Sequence, residues 1–282
     1  MKFGLHISAA GSIAAAPERA QAKGCEVFQF FSRSPRGGPA PAITDLVIDK
    51  FKSDSKKWGL ESYVHTPYFI NLGAEKKNVK YGSIKVIRED LERASLLGCK
   101  YVMTHLGTAR FLGEAKATAQ TIESIQKILD GYIGTTQFLI EMSAGAGQVL
   151  GDTIEDVAAY IKGVEKDKRY KDMVGVCFDT CHAYASGYDL RTEAKIKKVF
   201  NKFDRLIGLD KLKLIHANDS RGELGQHKDR HEHISQGEIG LAGFKAMVNH
   251  PKLKHINMIL ETPDDGKEID DLKLLKKLRT NK

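Results

Sequence analysis

Short apolar runs alternate with longer amphipathic stretches along almost the whole chain. The runs begin near Phe3 (FGLHIS), Val27 (VFQFF), Ser62 (SYVHT), Tyr101 (YVMTHLG), Phe138 (FLIEM), Val174 (VGVCFDT), Leu212 (LKLIHAND) and Asn257 (NMILET). Runs of this length and character predict buried strands. The stretches between them carry the 3.6-residue periodicity of helices, most clearly over residues 83–97, 115–129 and 153–164. Glycines that stop helices, such as Gly59 and Gly98, follow several of them. Strands that alternate with helices imply a parallel sheet, and eight such units in 282 residues fit a closed (β/α)8 TIM barrel. An open doubly wound sheet is the rival, but it normally places GxGxxG after its first strand. Here that turn reads SAAGS, with one glycine. No low-complexity segment or Pro/Gly/Ser linker interrupts the pattern, so a single domain over residues 1–282 is expected.

Composition narrows the class. Hydrophobic residues make up 41%, ordinary for a globular protein, and no stretch nears the roughly 18–20 consecutive apolar residues of a membrane helix. The opening MKFGLHISAAGS lacks a sustained apolar segment, so a signal peptide is not expected. The four cysteines (Cys25, Cys99, Cys177, Cys181) form no CxxC pair and no dense framework. An intracellular, cytoplasmic protein with reduced thiols and no membrane partner is the simplest expectation. The net charge of +8 favours polyanionic partners, though many basic proteins never touch nucleic acid.

The ends of the strands change the picture more. The third run ends in His65, the fourth in His105 and the fifth in Glu141. The sixth ends in Asp179 with His182 just beyond, the seventh in His216 and the last in Glu261. Active sites of barrels are built at this end of the strands. A single strand-end histidine is more often a capping residue than a ligand. A carboxylate closing an apolar strand is harder to dismiss, because burial demands a partner or a metal. Six consecutive strands ending in His, Asp or Glu point to a metal site. Residues two apart share a strand face, so inward-facing Glu261 and Asp179 carry Ile259, Asn257, Cys177 and Gly175 inward with them.

The loop HKDRHEHISQGEIG adds Asp229 and His231, two apart, which with His182 would make a compact further site; His227 and His233 are open alternatives. Nitrogen and carboxylate donors without thiolates favour Zn2+, and Mn2+ also fits. Cys177 and Cys181 are read as packing residues, the first inside the barrel and the second in a turn. Nine donors are too many for one tetrahedral ion and suffice for three if one carboxylate bridges. Paired ions roughly 3.5–4 Å apart suit phosphodiester hydrolysis.

These motifs support a resemblance over nearly the whole chain. VGVCFDTCHAYASGYDLRT, HANDS with DRHEHISQGEIG, ILETP, HTPYFINLG, GLHISAAGS and IEMSAGAGQVLG occur at the corresponding places along it. In them the chain resembles the endonuclease IV family of apurinic/apyrimidinic (AP) endonucleases. The resemblance implies a TIM barrel with three Zn2+ at its mouth. His65, His105 and Glu141 would hold the first ion. Glu141 (bridging), Asp179, His216 and Glu261 would hold the second, and His182, Asp229 and His231 the third. It implies a monomer acting on double-stranded DNA that contains abasic sites or blocked 3′ ends. Incision 5′ of the lesion would leave a 3′-hydroxyl and a 5′-deoxyribose phosphate, by a trinuclear metal-hydroxide mechanism in which Glu141 and Glu261 are catalytic. It also implies that Arg36, Tyr68 and Phe69 bind DNA by filling the gap left by the missing base. Where some relatives follow the arginine with bulky residues, this chain has Gly37 and Gly38, which shifts the expected wedge towards Tyr68 and Phe69. The alternatives are a metal-dependent sugar isomerase or epimerase on a related barrel, and a non-catalytic barrel that binds DNA or stores metal. The first would need only one or two ions, and the second would lack a ligand; none is missing.

Overall fold

The computed structural model describes residues 1–279. Seven parallel strands come first: β1 (Phe3–His6), β2 (Val27–Phe31), β3 (Glu61–His65), β4 (Tyr101–Thr104), β5 (Gln137–Glu141), β6 (Val174–Asp179) and β7 (Leu212–His216). A short antiparallel ribbon follows, β8 (Asp219–Ser220) with β9 (His231–Glu232), and then β10 (Asn257–Leu260). β10 pairs with both β7 and β1, closing an eight-stranded barrel. An open sheet would leave β1 an edge; here β1 also pairs with β2.

The helices that pack outside the strands include α1 (Ala16–Ala22), α2 (Asp45–Lys57), α3 (Lys77–Leu97), α4 (Glu114–Leu129) and α5 (Ile154–Glu165). They continue with α6 (Thr180–Ala185), α7 (Glu193–Leu206), α8 (Gly240–Val248) and α9 (Glu268–Leu278). Local chemistry sets their ends. Thr153 caps α5 by accepting from the Asp156 N–H, and Thr192 caps α7 by accepting from that of Lys195. Gly98 ends α3 in the left-handed conformation, φ 74°, which glycine adopts without steric cost. α3 begins six residues before the expected 83 because its first turns face solvent and carry no apolar stripe.

Strand parity builds the interior in layers. Val27, Tyr63, Met103, Leu139, Cys177, Leu214 and Ile259 form one buried apolar cluster inside the barrel. A polar floor lies beneath it, where Asn257 Nδ2 donates to Tyr63 Oη at 2.8 Å and Lys100 Nζ meets Glu61 at 3.3 Å. Two residues beyond each member of the apolar cluster stand Gln29, His65, His105, Glu141, Asp179, His216 and Glu261. The same step that fills the barrel with apolar side chains therefore lifts a ring of polar ones to its mouth. Among the described residues, no helix is long and apolar enough to cross a membrane.

Candidate metal centre at the barrel mouth

Glu141 is fully buried at the centre of the ring. Its Oε2 lies 2.8 Å from His65 Nε2 and 3.5 Å from His105 Nε2, and its Oε1 lies 2.9 Å from His216 Nδ1. Glu261 reaches the same His216 nitrogen at 3.2 Å. Asp179 Oδ1 caps α6 by accepting the His182 N–H at 2.8 Å, and Oδ2 accepts from Asn218 Nδ2 at 2.7 Å. Among the described residues, three donor groups without cysteine result: His65, His105 and Glu141; Glu141, Asp179, His216 and Glu261; His182, Asp229 and His231. Within each group the donor atoms lie within 4.8 Å of one another. The carboxylate of Glu141 belongs to two groups, the position of a bridge.

The ring nitrogens turned away from the centre show that these groups are organised. His65 Nδ1–H donates to Thr66 O at 2.6 Å, His182 Nδ1–H to Met142 O at 2.9 Å, and His231 Nδ1–H to Glu261 O at 2.9 Å. A carbonyl can only accept, so each of these rings, when neutral, presents the lone pair of Nε2 inward. His182 Nε2 and His231 Nε2 consequently face each other at 3.3 Å, with Asp229 Oδ1 3.3 Å from both. Such a triangle of acceptors is held together by a proton or a cation. The donor set fits a divalent metal of the zinc kind.

Electrostatics agree. Burial pushes the Glu141 carboxyl up, but His105, His216 and His65 together hold it well below the usual carboxylate range. Glu261 is likewise held well below it, against burial, by His216 and by its bond with His6. Burial lowers His182, yet Asp179 and Asp229 raise it to about 10, and Asp229 falls to about 2 because His182 and His231 outweigh its own desolvation. In the metal-free site a proton supplies the positive charge that a cation would replace.

The alternatives left open by spacing separate here. His231 joins the third group, whereas His233 turns away to Asp271 at 2.7 Å and Asp265 at 3.3 Å. The His227 ring sits against the backbone at Gly145 and beside Asp152. Cys177 lies inside the barrel, and all four cysteines are buried and free. Cys181, expected in a turn, occupies the first turn of α6, because the Asp179 cap starts the helix one residue earlier. Its sulfur lies near Asp179 and His231, but it points to Arg230 O at 3.6 Å.

Several contributors were not anticipated. Gln29 and His6 both touch Glu261, with Gln29 Nε2 at 2.7 Å and His6 Nδ1 at 3.4 Å from Oε1. Asn218 accepts the Glu261 N–H at 2.7 Å while holding Asp179. Buried Asp219 accepts backbone N–H groups of Ser235, Gly237 and Ile239, which pins down the far end of the loop that supplies Asp229 and His231. A polar residue inside an apolar strand, as Gln29 is in VFQFF, was the available signal.

Above the ring, a cleft of about 1100 Å³ is lined by His6, Phe31, Arg36, His65, Tyr68 and Glu261, among others. Arg36 is on the loop after β2, and Tyr68 and Phe69 stand on the loop after β3. Tyr68 is 71% and Phe69 43% exposed, so neither serves as core packing. The loops are coupled: the Tyr68 N–H donates to Pro35 O at 3.3 Å, and the Phe69 ring lies against Gly37. Gly37, at φ 110°, leaves room that a bulky residue would contest.

The loop after β2 is clamped to α3. Arg33 Nε donates to fully buried Asp90 at 2.9 Å, Ser32 Oγ donates to the same oxygen at 2.7 Å, and Arg93 donates to Ser32 O and Pro41 O at the two ends of the loop. Asp90→Ala takes the acceptor from Arg33 Nε and Ser32 Oγ and leaves the guanidinium with Glu89 alone, at 2.8 Å, which is expected to cost about 1–3 kcal/mol of stability. Urea unfolding measures this, and a loss below about 1 kcal/mol would show that the pair behaves as a surface bridge.

The barrel and its mouth define a class, and comparison agrees: a sequence model described as a xylose isomerase-like TIM barrel matches residues 17–278. The probable endonuclease 4 of Nitrosopumilus maritimus is 36% identical over 286 residues, covering 99% of each chain. The crystal structure of endonuclease IV from Thermus thermophilus matches with a TM-score of 0.87 at 33% identity, over 99% of this chain and 98% of that one. The chain belongs to the endonuclease IV family. The E. coli 3-keto-D-glucoside 4-epimerase matches with a TM-score of 0.69 at 15% identity, over 98% of this chain and 99% of that one, a likeness of fold alone.

Proposed function

We propose that this chain is a DNA-repair endonuclease that hydrolyses the phosphodiester 5′ of abasic sites, leaving a 3′-hydroxyl and a 5′-deoxyribose phosphate, and that it also clears blocked 3′ ends. The observation that carries this reading is the trio of donor groups, two of them sharing Glu141, at the barrel mouth of an endonuclease IV family member. Three divalent cations, Zn2+ first and Mn2+ as substitute, would be held by His65, His105 and Glu141; by Glu141, Asp179, His216 and Glu261; and by His182, Asp229 and His231. Bound there, such ions polarise a phosphodiester and make hydroxide available at neutral pH. The protein's own part is to fix geometry. Glu141 and Glu261, both held as carboxylates, orient the nucleophile in line with the phosphorus. Histidines locked by their outer hydrogen bonds keep the pocket from reorganising as charge builds in the transition state.

Recognition falls to the rim. Tyr68 stands edge-on to Phe31 at 5.3 Å, which braces its exposed ring. Tyr68 and Phe69 fill the gap of a missing base, offsetting lost stacking, with Arg36 beside them near the backbone. Phe69→Ala is expected to weaken binding to abasic duplex by about 1–3 kcal/mol, leaving undamaged duplex unaffected. Equal affinities of variant and parent for abasic duplex, read by fluorescence anisotropy, would remove Phe69 from the wedge.

The direct test incubates the metal-replete protein with end-labelled duplex carrying one abasic site, beside an undamaged control, and identifies the product ends. Cleavage at the lesion with a 3′-hydroxyl is expected. An unsaturated aldehyde at the 3′ end would indicate lyase chemistry and overturn the hydrolytic reading. No cleavage by fully loaded protein would favour the sugar isomerase or epimerase alternative. That reading has no use for the third donor group.

A further inference from the structure

We infer that Gln29 is a positioning residue that fixes which nitrogen His216 presents to the second donor group and how the Glu261 carboxylate is turned. Gln29 is fully buried in the middle of β2, one inward layer above Val27. Its amide makes three contacts with the mouth: Nε2 to Glu261 Oε1 at 2.7 Å, Nε2 to His6 Nδ1 at 3.0 Å, and Oε1 to His216 Nε2 at 2.8 Å.

The chemistry of the partners removes any freedom in this arrangement. A carboxylate only accepts, so the amide nitrogen must face Glu261. The amide oxygen then faces His216 and can only accept, so His216 Nε2 carries the hydrogen. The lone pair of the neutral ring is therefore on Nδ1, the nitrogen 2.9 Å from Glu141 Oε1 and 3.2 Å from Glu261 Oε2. His65, His182 and His231 are oriented the other way round: backbone carbonyls take their Nδ1–H groups, and Nε2 faces inward. Among these four rings, His216 alone owes its orientation to a side chain. One amide thus holds two donors of the same group, and a substitution can remove that hold without touching a donor.

Removing an outer hydrogen-bond partner of a metal-binding histidine typically costs about 10- to 100-fold in affinity or activity. This inference rests on the proposed metal-dependent hydrolysis, and its test is read on metal binding as well as on turnover. Gln29→Met keeps the length and burial of the side chain and deletes all three hydrogen bonds. The experiment titrates chelated Gln29→Met and parent protein with Zn2+ against a competing chelator, records absorption spectra of the Co2+-substituted forms, and measures kcat and KM on abasic duplex.

The variant is expected to bind one equivalent about 10- to 100-fold more weakly, to show an altered Co2+ spectrum, and to lose kcat with KM nearly unchanged. Parent-like affinity for every equivalent together with a parent-like spectrum would overturn the inference, whatever happened to turnover, since a mere filling role would move stability alone. Should Gln29→Met fail to fold, Gln29→Ala carries the same expectation and the same refutation. If the parent protein itself binds metals but does not cut abasic duplex, the functional reading fails while the metal titration still judges Gln29.

Discussion

Glu261→Gln is expected to lower turnover on abasic duplex by roughly 100- to 10,000-fold, while binding to that duplex changes only a few-fold. The Glu261 carboxylate closes the last barrel strand and is contacted from two sides. Oε1 accepts from Gln29 Nε2, and Oε2 faces His216 Nδ1. An amide in its place removes a charge from the second donor group. With its oxygen still accepting from Gln29, the amide turns its NH2 to the His216 Nδ1 lone pair, where a cation would otherwise bind. The proposed nucleophile then loses both its orienting carboxylate and part of the field that favours hydroxide. The rim is left alone, because Arg36, Tyr68 and Phe69 stand on loops after β2 and β3 and not on β10. Single-turnover rates and anisotropy measured on one preparation separate the two effects. Turnover within tenfold of the parent would remove Glu261 from the chemistry, and a parallel collapse of DNA affinity would assign it to binding.

What the sequence disclosed followed from what is local in the physics. Strand parity is a property of neighbouring residues, so Leu139 and Glu141, or Ile259 and Glu261, announce both a core layer and a mouth layer from one short run. Strand-end donors and helix caps are local for the same reason. The contributions of Gln29, His6 and Asn218 depend instead on which strands become neighbours. Gln29 touches Glu261 across 232 positions of sequence, and the contact exists because β1 lies between β2 and β10. A buried amide in VFQFF signals that a partner must exist, without saying which. The choice of His231 over His233 is likewise tertiary: residues on one extended segment share a face, and the positions of Asp271 and Asp265 draw His233 away. The early start of α3 escaped notice because solvent-facing turns leave no hydrophobic period to read.

Chelation followed by gel filtration is expected to abolish incision and to lower the melting temperature, and added Zn2+ should restore both. Ligands that bind only the folded state stabilise it by mass action, and here the donors include fully buried Glu141, Asp179 and His216. The size of the effect should depend on pH in a definite direction. In the metal-free protein His182 is raised to about 10 and Asp229 lowered to about 2, their mutual attraction outweighing the burial of each. The raised histidine stabilises the metal-free fold fully below its unfolded value of about 6.5, and that contribution fades as pH climbs towards 10. The depressed carboxylate contributes above about 4 and is lost as pH falls towards 2. Protons compete with cations for the same lone pairs, so the loaded form gains over this range while the metal-free form weakens. The difference in melting temperature between loaded and chelated protein should therefore widen from about pH 6 to about pH 9. Metal content should fall from about three per chain to two in Asp229→Ala if His182, Asp229 and His231 hold an ion of their own. A pH-independent difference would show that the proton and the cation do not share a site. Two ions in the parent would remove the third site, and with it the main distinction from the epimerase-like barrels.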